Sequence, residues 1–149
     1  MRCEELMSTD VAFVRPSDEV RRAATLMKTR NVGFLPVCSD ARKVVGVITD
    51  RDIAVRCVAD GKPCTTAIRD VMTREIVACR PGDDVAIAER AMIRHQRSRV
   101  LCLREHQYLL GVISLSDLPR AGLASEAEAV LEQVSDRERA HARRRGRAP

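Results

Sequence analysis

Hydrophobic positions in this chain come in short runs, and one run occurs twice. Val44-Val45-Gly46-Val47-Ile48 leads into Thr49, with Asp52 three residues further on; Leu109-Leu110-Gly111-Val112-Ile113 leads into Ser114, with Asp117 at the same spacing. Runs of this length, bounded by turn residues, predict buried strands that feed the first turn of a helix. The hydroxyl and the carboxylate then sit where free backbone N–H groups and the positive end of a helix dipole collect.

A shift of 65 residues aligns Met7–Ala54 with Met72–Pro119 without a gap, and Arg15/Arg80, Pro16/Pro81, Asp18/Asp83, Ala23/Ala88, Met27/Met92 and Gly46/Gly111 are identical pairs. Gapless spacing means equal element lengths, hence two copies of one unit. Within a copy, Val11–Val14 and Ile76–Cys79 read as short strands ended by Arg-Pro turns. A helix follows, with an apolar stripe of Val20, Ala23, Ala24, Met27 or Val85, Ala88, Ala91, Met92. Phe34–Cys38 and Val100–Leu103 read as second strands, and the repeated run as the third. Ile53, Ala54, Cys57 and Val58 mark a second helix that Gly61 ends.

The expected fold is α/β of the α+β kind: two β-α-β-β-α repeats packed about a pseudo-twofold axis. Residues 1–61 form the first repeat, 62–71 a linker, 72–122 the second repeat and 123–149 a C-terminal helix with a basic tail. The last helix is expected from Ser125, with Glu128 completing a capping box, through Val130, Leu131 and Val134. Residues 143–149 are expected to be disordered. One copy is too small to bury both faces of its helices, so the two should share a core.

Composition narrows the function. The net charge of +5 rests on five arginines in residues 139–149; without them 21 basic residues face 21 acidic ones, so a nucleic-acid role would belong to the tail alone. There is no run of 18 apolar residues and no signal-like N-terminus, so a cytoplasmic protein with no membrane segment is expected. The six cysteines include no Cys-x-x-Cys pair, and reduced buried thiols are expected rather than zinc or redox chemistry. No Gly-rich phosphate loop, metal-ligand spacing or nucleophile with an evident base emerges, so no catalytic and no metal residues are assigned and an enzyme is not expected.

These motifs resemble the tandem cystathionine-beta-synthase (CBS) domain, the Bateman module, in a stand-alone bacterial-type form. The resemblance covers Met7–Pro119 and rests on Asp70-Val-Met-Thr73, Phe34-Leu-Pro-Val37, Gly46-Val-Ile-Thr-Asp-Arg-Asp52 and Gly111-Val-Ile-Ser-Leu-Ser-Asp117. It implies a sensor of adenosine-containing ligands, with AMP, ADP or ATP foremost; S-adenosylmethionine and NAD(H) carry the same ribose and base. No obligatory cofactor is implied. By the same resemblance Thr49 and Asp52 hold the ribose at one cleft, and Ser114, Ser116 and Asp117 hold it at the other. Asp10, Val11 and Ala12 would meet the base opposite Asp117, and Glu75, Ile76 and Val77 opposite Asp52. Arg99, placed just before the second strand, is the phosphate candidate, with Arg51 and Arg97 as further ones; the first copy has Phe34 at the place of Arg99.

Chemistry fits the assignment, because an ionised Asp is acceptor-only and takes both ribose hydroxyl protons, while Ser and Thr donate and accept. The resemblance implies a homodimer that signals to a separate effector protein. The competing reading is a ligand-free dimeric scaffold in which both Thr/Ser-x-x-Asp motifs are only helix caps.

Overall fold

The computed structural model describes the backbone of residues 1–145 and the side chains of residues 1–136. Helices and strands make a mixed α and β fold in two compact units. One unit comprises Met1–Thr9, with the single-turn helix α1 (Cys3–Leu6), Val77–Arg104 and the chain from Leu110 onward; the other comprises Asp10–Ile76 and Glu105–Leu109.

In the unit built on Asp10–Ile76, helix α2 (Val20–Arg30) buries Val20, Ala23 and Met27 against strands β1 (Phe34–Cys38) and β2 (Val44–Thr49). Ala24, expected on that stripe, is exposed, and Leu26 is the neighbour that turns inward. β1 and β2 pair antiparallel, with Leu35 opposite Ile48. β2 ends in a turn of helix, α3 (Asp50–Asp52), which continues as a π-helical run over Ile53–Val58. The wider i→i+5 turn shifts the phase of the side chains. Cys57 is therefore buried, while Ala54 and Val58, which with it mark this helix in the sequence, are exposed.

In the other unit, α4 (Val85–His95) lies against β3 (Ala78–Cys79) and β4 (Arg99–Arg104), and β5 (Tyr108–Ser114), which belongs to this unit from Leu110 onward, completes a three-stranded sheet in the order β3-β4-β5. α5 (Asp117–Arg120) is a single turn, stopped where Gly122 adopts a φ of +81°. Helix α6 (Ala124–Arg145) follows and buries Ala127 and Val130. It begins one residue before the expected start. Ser125 lies inside its first turn, where its hydroxyl contacts Glu126 at 2.8 Å instead of capping with Glu128. The tail expected to be disordered from residue 143 is helical through Arg145; residues 146–149 lie outside the described residues.

The expected first strand of each copy shows what one residue does. In the second copy Leu101 donates its N–H to the carbonyl of Val77 at 3.0 Å, and β3 pairs parallel with β4. The equivalent of Leu101 in the first copy is Pro36, which has no N–H to donate. The ladder there stops at one bridge, Val14 to Val37, and Val11–Val14 is extended chain rather than a strand.

The packed unit and the sequence repeat are different stretches of chain. Ser8 exchanges two backbone hydrogen bonds with Val112, at 2.9 and 3.0 Å, and Thr73 does the same with Val47, at 2.8 and 2.9 Å. Cys3 donates to Asp83 and Glu4 to Pro81, as Ile68 donates to Asp18 and Arg69 to Pro16. The opening of each copy thus completes the unit that holds the last strand of the other copy. Residues 66–71, read from sequence as linker, carry the buried Ile68 and Val71.

Candidate functional site

Both Thr/Ser-to-Asp corners form where the last strand of a copy turns into a helix, and they are built differently. In the first corner Thr49 Oγ1 accepts from the N–H of Asp52 at 3.1 Å, and Asp52 Oδ2 accepts from the N–H of Thr49 at 3.0 Å. This is a complete capping box. Thr73 Oγ1 adds contacts to both carboxylate oxygens of Asp52, at 3.2 and 3.3 Å, and the Arg56 guanidinium stands 3.9 Å away. Arg56 is itself held by the carbonyl of Met72 at 2.9 Å. Asp52 is consequently buried, at 9% exposure.

The second corner keeps only part of this arrangement. Asp117 Oδ2 accepts from the N–H of Ser114 at 2.7 Å. Ser114 Oγ turns instead to Ser116, accepting from its hydroxyl at 3.0 Å and its N–H at 3.4 Å. The counterparts of Thr73 and Arg56 are Ser8 and Ala121. Ser8 gives Asp117 no hydrogen bond, and Ala121 has no charge to offer. Asp117 Oδ1 faces only Arg120 Nη1, at 4.0 Å, among the described residues.

Beside this corner lies a cavity of about 490 Å³, within the range of roughly 300–1,000 Å³ typical of small-molecule sites. Ser98, Arg99, Ser114 and Ser116 line it from the strand ends, and Glu128 and Leu131 line it from α6. In the first corner the matching positions are Gly33 and Asp50, and Asp50 Oδ2 lies 2.6 Å from where a Cβ on Gly33 would be. A carboxylate therefore leans on the strand end where the second copy has Ser98 beside Leu115. Leu115 repeats the backbone bond of Asp50, donating to Ser98 at 2.8 Å where Asp50 donates to Gly33 at 3.0 Å.

The CBS-domain family model matches twice, over residues 3–58 and 68–123. The chain is a tandem CBS-domain protein. The two CBS matches begin 65 residues apart, in register with the internal repeat. The CBS domain-containing protein YhcV of Bacillus subtilis is 36% identical over 124 residues, covering 83% of this chain and 87% of that one. Hypoxic response protein 1 of Mycobacterium tuberculosis is 30% identical, over 78% of this chain and 81% of its own length. A match at 31% identity to inosine-5'-monophosphate dehydrogenase of Methanocaldococcus jannaschii spans only 23% of that enzyme. Among solved structures, the CBS domain pair of protein MJ0100, in complex with 5'-methylthioadenosine and S-adenosyl-L-methionine, superposes with a TM-score of 0.74. It is 22% identical and covers 84% of this chain and 98% of that one, which establishes the shared fold.

Within this CBS pair, the residues expected at the ligand fall into distinct settings. Thr49 and Asp52 are engaged with each other and with Thr73, whereas Ser114 and Ser116 line the cavity. Asp117 adjoins those serines but is not itself on the cavity wall. Asp10 is exposed and pairs with Arg30 at 2.7 Å, while Val11 and Ala12 are half-buried extended chain in the same unit. Glu75 and Ile76 share a unit with Asp52; Val77 belongs to the other unit and is buried in its core. Of the three arginines, Arg99 lines the cavity, Arg51 is exposed on α3, and half-buried Arg97 is away from the cavity wall.

Sequence reasoning missed Ser98, Glu128 and Leu131. Ser98 was findable, because it stands one residue before Arg99 and aligns with Gly33. The α6 residues were not, since they lie beyond the repeat and only folding brings them to the corner. Among the described residues no group of three or more His, Cys, Asp or Glu is placed to hold a metal ion, and no helix is long and apolar enough to cross a membrane.

Proposed function

We propose that this CBS pair is a regulatory module that takes one adenosine-containing ligand per chain, at the Ser114–Asp117 corner. The observation that carries the reading is the contrast between the corners. Asp52 has both oxygens engaged, whereas Asp117 Oδ1 has no hydrogen-bond donor among the described residues, and the adjoining Ser114 and Ser116 line a cavity of ligand size. An acceptor-only carboxylate flanked by two serine hydroxyls suits the paired hydroxyls of a ribose. Arg99 supplies a cation to the same cavity. The complexes of similarly folded CBS pairs with S-adenosylmethionine, methylthioadenosine and AMP support the ligand class.

Ligand occupancy acts by favouring one of two arrangements of the module, which requires different affinity for each. The readers are a second copy of the chain in a homodimer and a separate effector protein in the cytoplasm. Ligand-free scaffolding is favoured by one observation, the complete capping box at Thr49–Asp52, and applies to that corner. Isothermal calorimetry with adenosine, AMP, ATP and S-adenosylmethionine tests the proposal. One site per chain, abolished by Asp117→Ala and retained in Asp52→Asn, is expected. Heat-silent titrations at millimolar ligand with the whole panel would overturn it.

A further inference from the structure

We infer that Glu128 on α6 sets the ligand selectivity of the second corner, favouring an adenosyl compound with a zwitterionic amino-acid tail over one ending in phosphate. The inference rests on the adenosine reading above and names the part of the ligand that the reading leaves open.

The CBS match ends at residue 123 and α6 begins at Ala124, so this wall of the cavity is an addition to the repeat. Ala127 and Val130 are buried in the core and fix the first turns of α6. Glu128 and Leu131 follow on the cavity side, one turn apart. Glu128 has no hydrogen bond or ion pair among the described residues, so its carboxylate is uncommitted at the rim.

Arg99 and Glu128 thus line the same space with groups of opposite charge. A phosphate dianion would gain from Arg99 and lose to Glu128. An α-amino-acid tail meets both, its carboxylate at Arg99 and its ammonium at Glu128. Leu115, Pro119 and Leu131 add apolar wall to the same cavity, suited to the methylenes that join such a tail to the ribose, while the sulfonium of S-adenosylmethionine carries a further positive charge that Glu128 also favours. The rim is open to solvent, so the charge acts through a high effective dielectric and its influence is moderate.

Competition calorimetry on the full chain tests this with adenosine, AMP and S-adenosylmethionine against wild type, Glu128→Gln and Glu128→Lys. Wild type is expected to bind S-adenosylmethionine more tightly than AMP. Glu128→Gln should tighten AMP by about threefold and weaken S-adenosylmethionine similarly, with Glu128→Lys going further and adenosine unchanged. AMP binding wild type as tightly as S-adenosylmethionine, or a ratio unmoved by both variants, would overturn the inference and leave the adenosine site standing. Failure of all three compounds, adenosine included, would remove the site and the inference together.

Discussion

Thr73 Oγ1 lies within 3.3 Å of both carboxylate oxygens of Asp52, and this contact separates the two halves of an otherwise repeated chain. Thr73 arrives from the opening of the second copy, paired by its backbone with Val47. Its counterpart Ser8 is paired with Val112 in the same manner, yet makes no hydrogen bond to Asp117. The backbone geometry is duplicated while the side-chain chemistry is not. Asp52 thus has both carboxylate oxygens hydrogen-bonded, whereas Asp117 has a hydrogen bond to one oxygen only among the described residues.

Thr73→Val should destabilise the protein without touching the second corner. The substitution keeps the shape and removes a donor from a buried carboxylate, a loss of about 1–3 kcal/mol. Urea unfolding checks it, and a lowered midpoint at unchanged slope is expected. Adenosine affinity should match wild type, because none of the lining of the proposed site changes.

Thr49→Ala and Ser114→Ala are equivalent in the repeat and should differ in effect. Thr49 Oγ1 caps α3 through the N–H of Asp52, and loss of a cap costs about 0.5–2 kcal/mol. Among the described residues Ser114 Oγ accepts only from Ser116, over 3.0 and 3.4 Å, so its loss should cost less stability. Calorimetry should read the reverse order: weakened ligand for Ser114→Ala, unchanged ligand for Thr49→Ala. Equal effects on both quantities would mean that both hydroxyls are caps.

Much of this was legible in the sequence because two copies in register reinforce each other. The strand Phe34–Cys38 and the helix stripes of Val20, Met27, Val85 and Met92 follow from periodicity alone, and the serine-to-aspartate corner follows from spacing. Other features depend on partners distant in the chain. Val11–Val14 carries strand-forming residues, but its ladder stops at the missing N–H of Pro36 across the sheet. The exchange of chain openings is invisible to any local pattern, since Ser8 and Thr73 would look the same docked on their own copies. The π-helical turn after Asp52 changes the phase of Val58 without a residue that announces it.

Gly46 and Gly111 should be the least replaceable glycines. A Cβ on Gly46 would stand 2.8 Å from the backbone oxygen of Thr73, and one on Gly111 would stand 2.6 Å from that of Ser8. Backbone cannot swing aside as a side-chain tip can, so the paired openings must shift. Gly46→Ala and Gly111→Ala are expected to destabilise by about 1–3 kcal/mol each, the usual range for overpacking. Gly82→Ala, with open space around the new methyl, should stay within about 0.5 kcal/mol of wild type. Thermal denaturation of the three variants side by side provides the comparison.

Cysteine chemistry should divide one against five. Cys64 is exposed, with Arg21 Nη2 2.9 Å from its sulfur, whereas Cys3, Cys38, Cys57, Cys79 and Cys102 are buried. Burial raises the Cys38 and Cys102 thiols from 9.0 to about 11 and pushes Cys79 up further. Because the folded state holds these protons more tightly than the unfolded chain, their contribution to stability is complete below pH about 9 and is lost as pH rises toward 11. Urea midpoints measured from pH 8 to pH 11 should fall along that limb, and Cys38→Ala should flatten it. In the native protein a thiol-specific disulfide reagent at pH 8 should titrate a single group rapidly, Cys64, with the remaining five reacting only after denaturation. Rapid reaction of two or more thiols would place a buried cysteine at the surface and contradict the packing of the sheet.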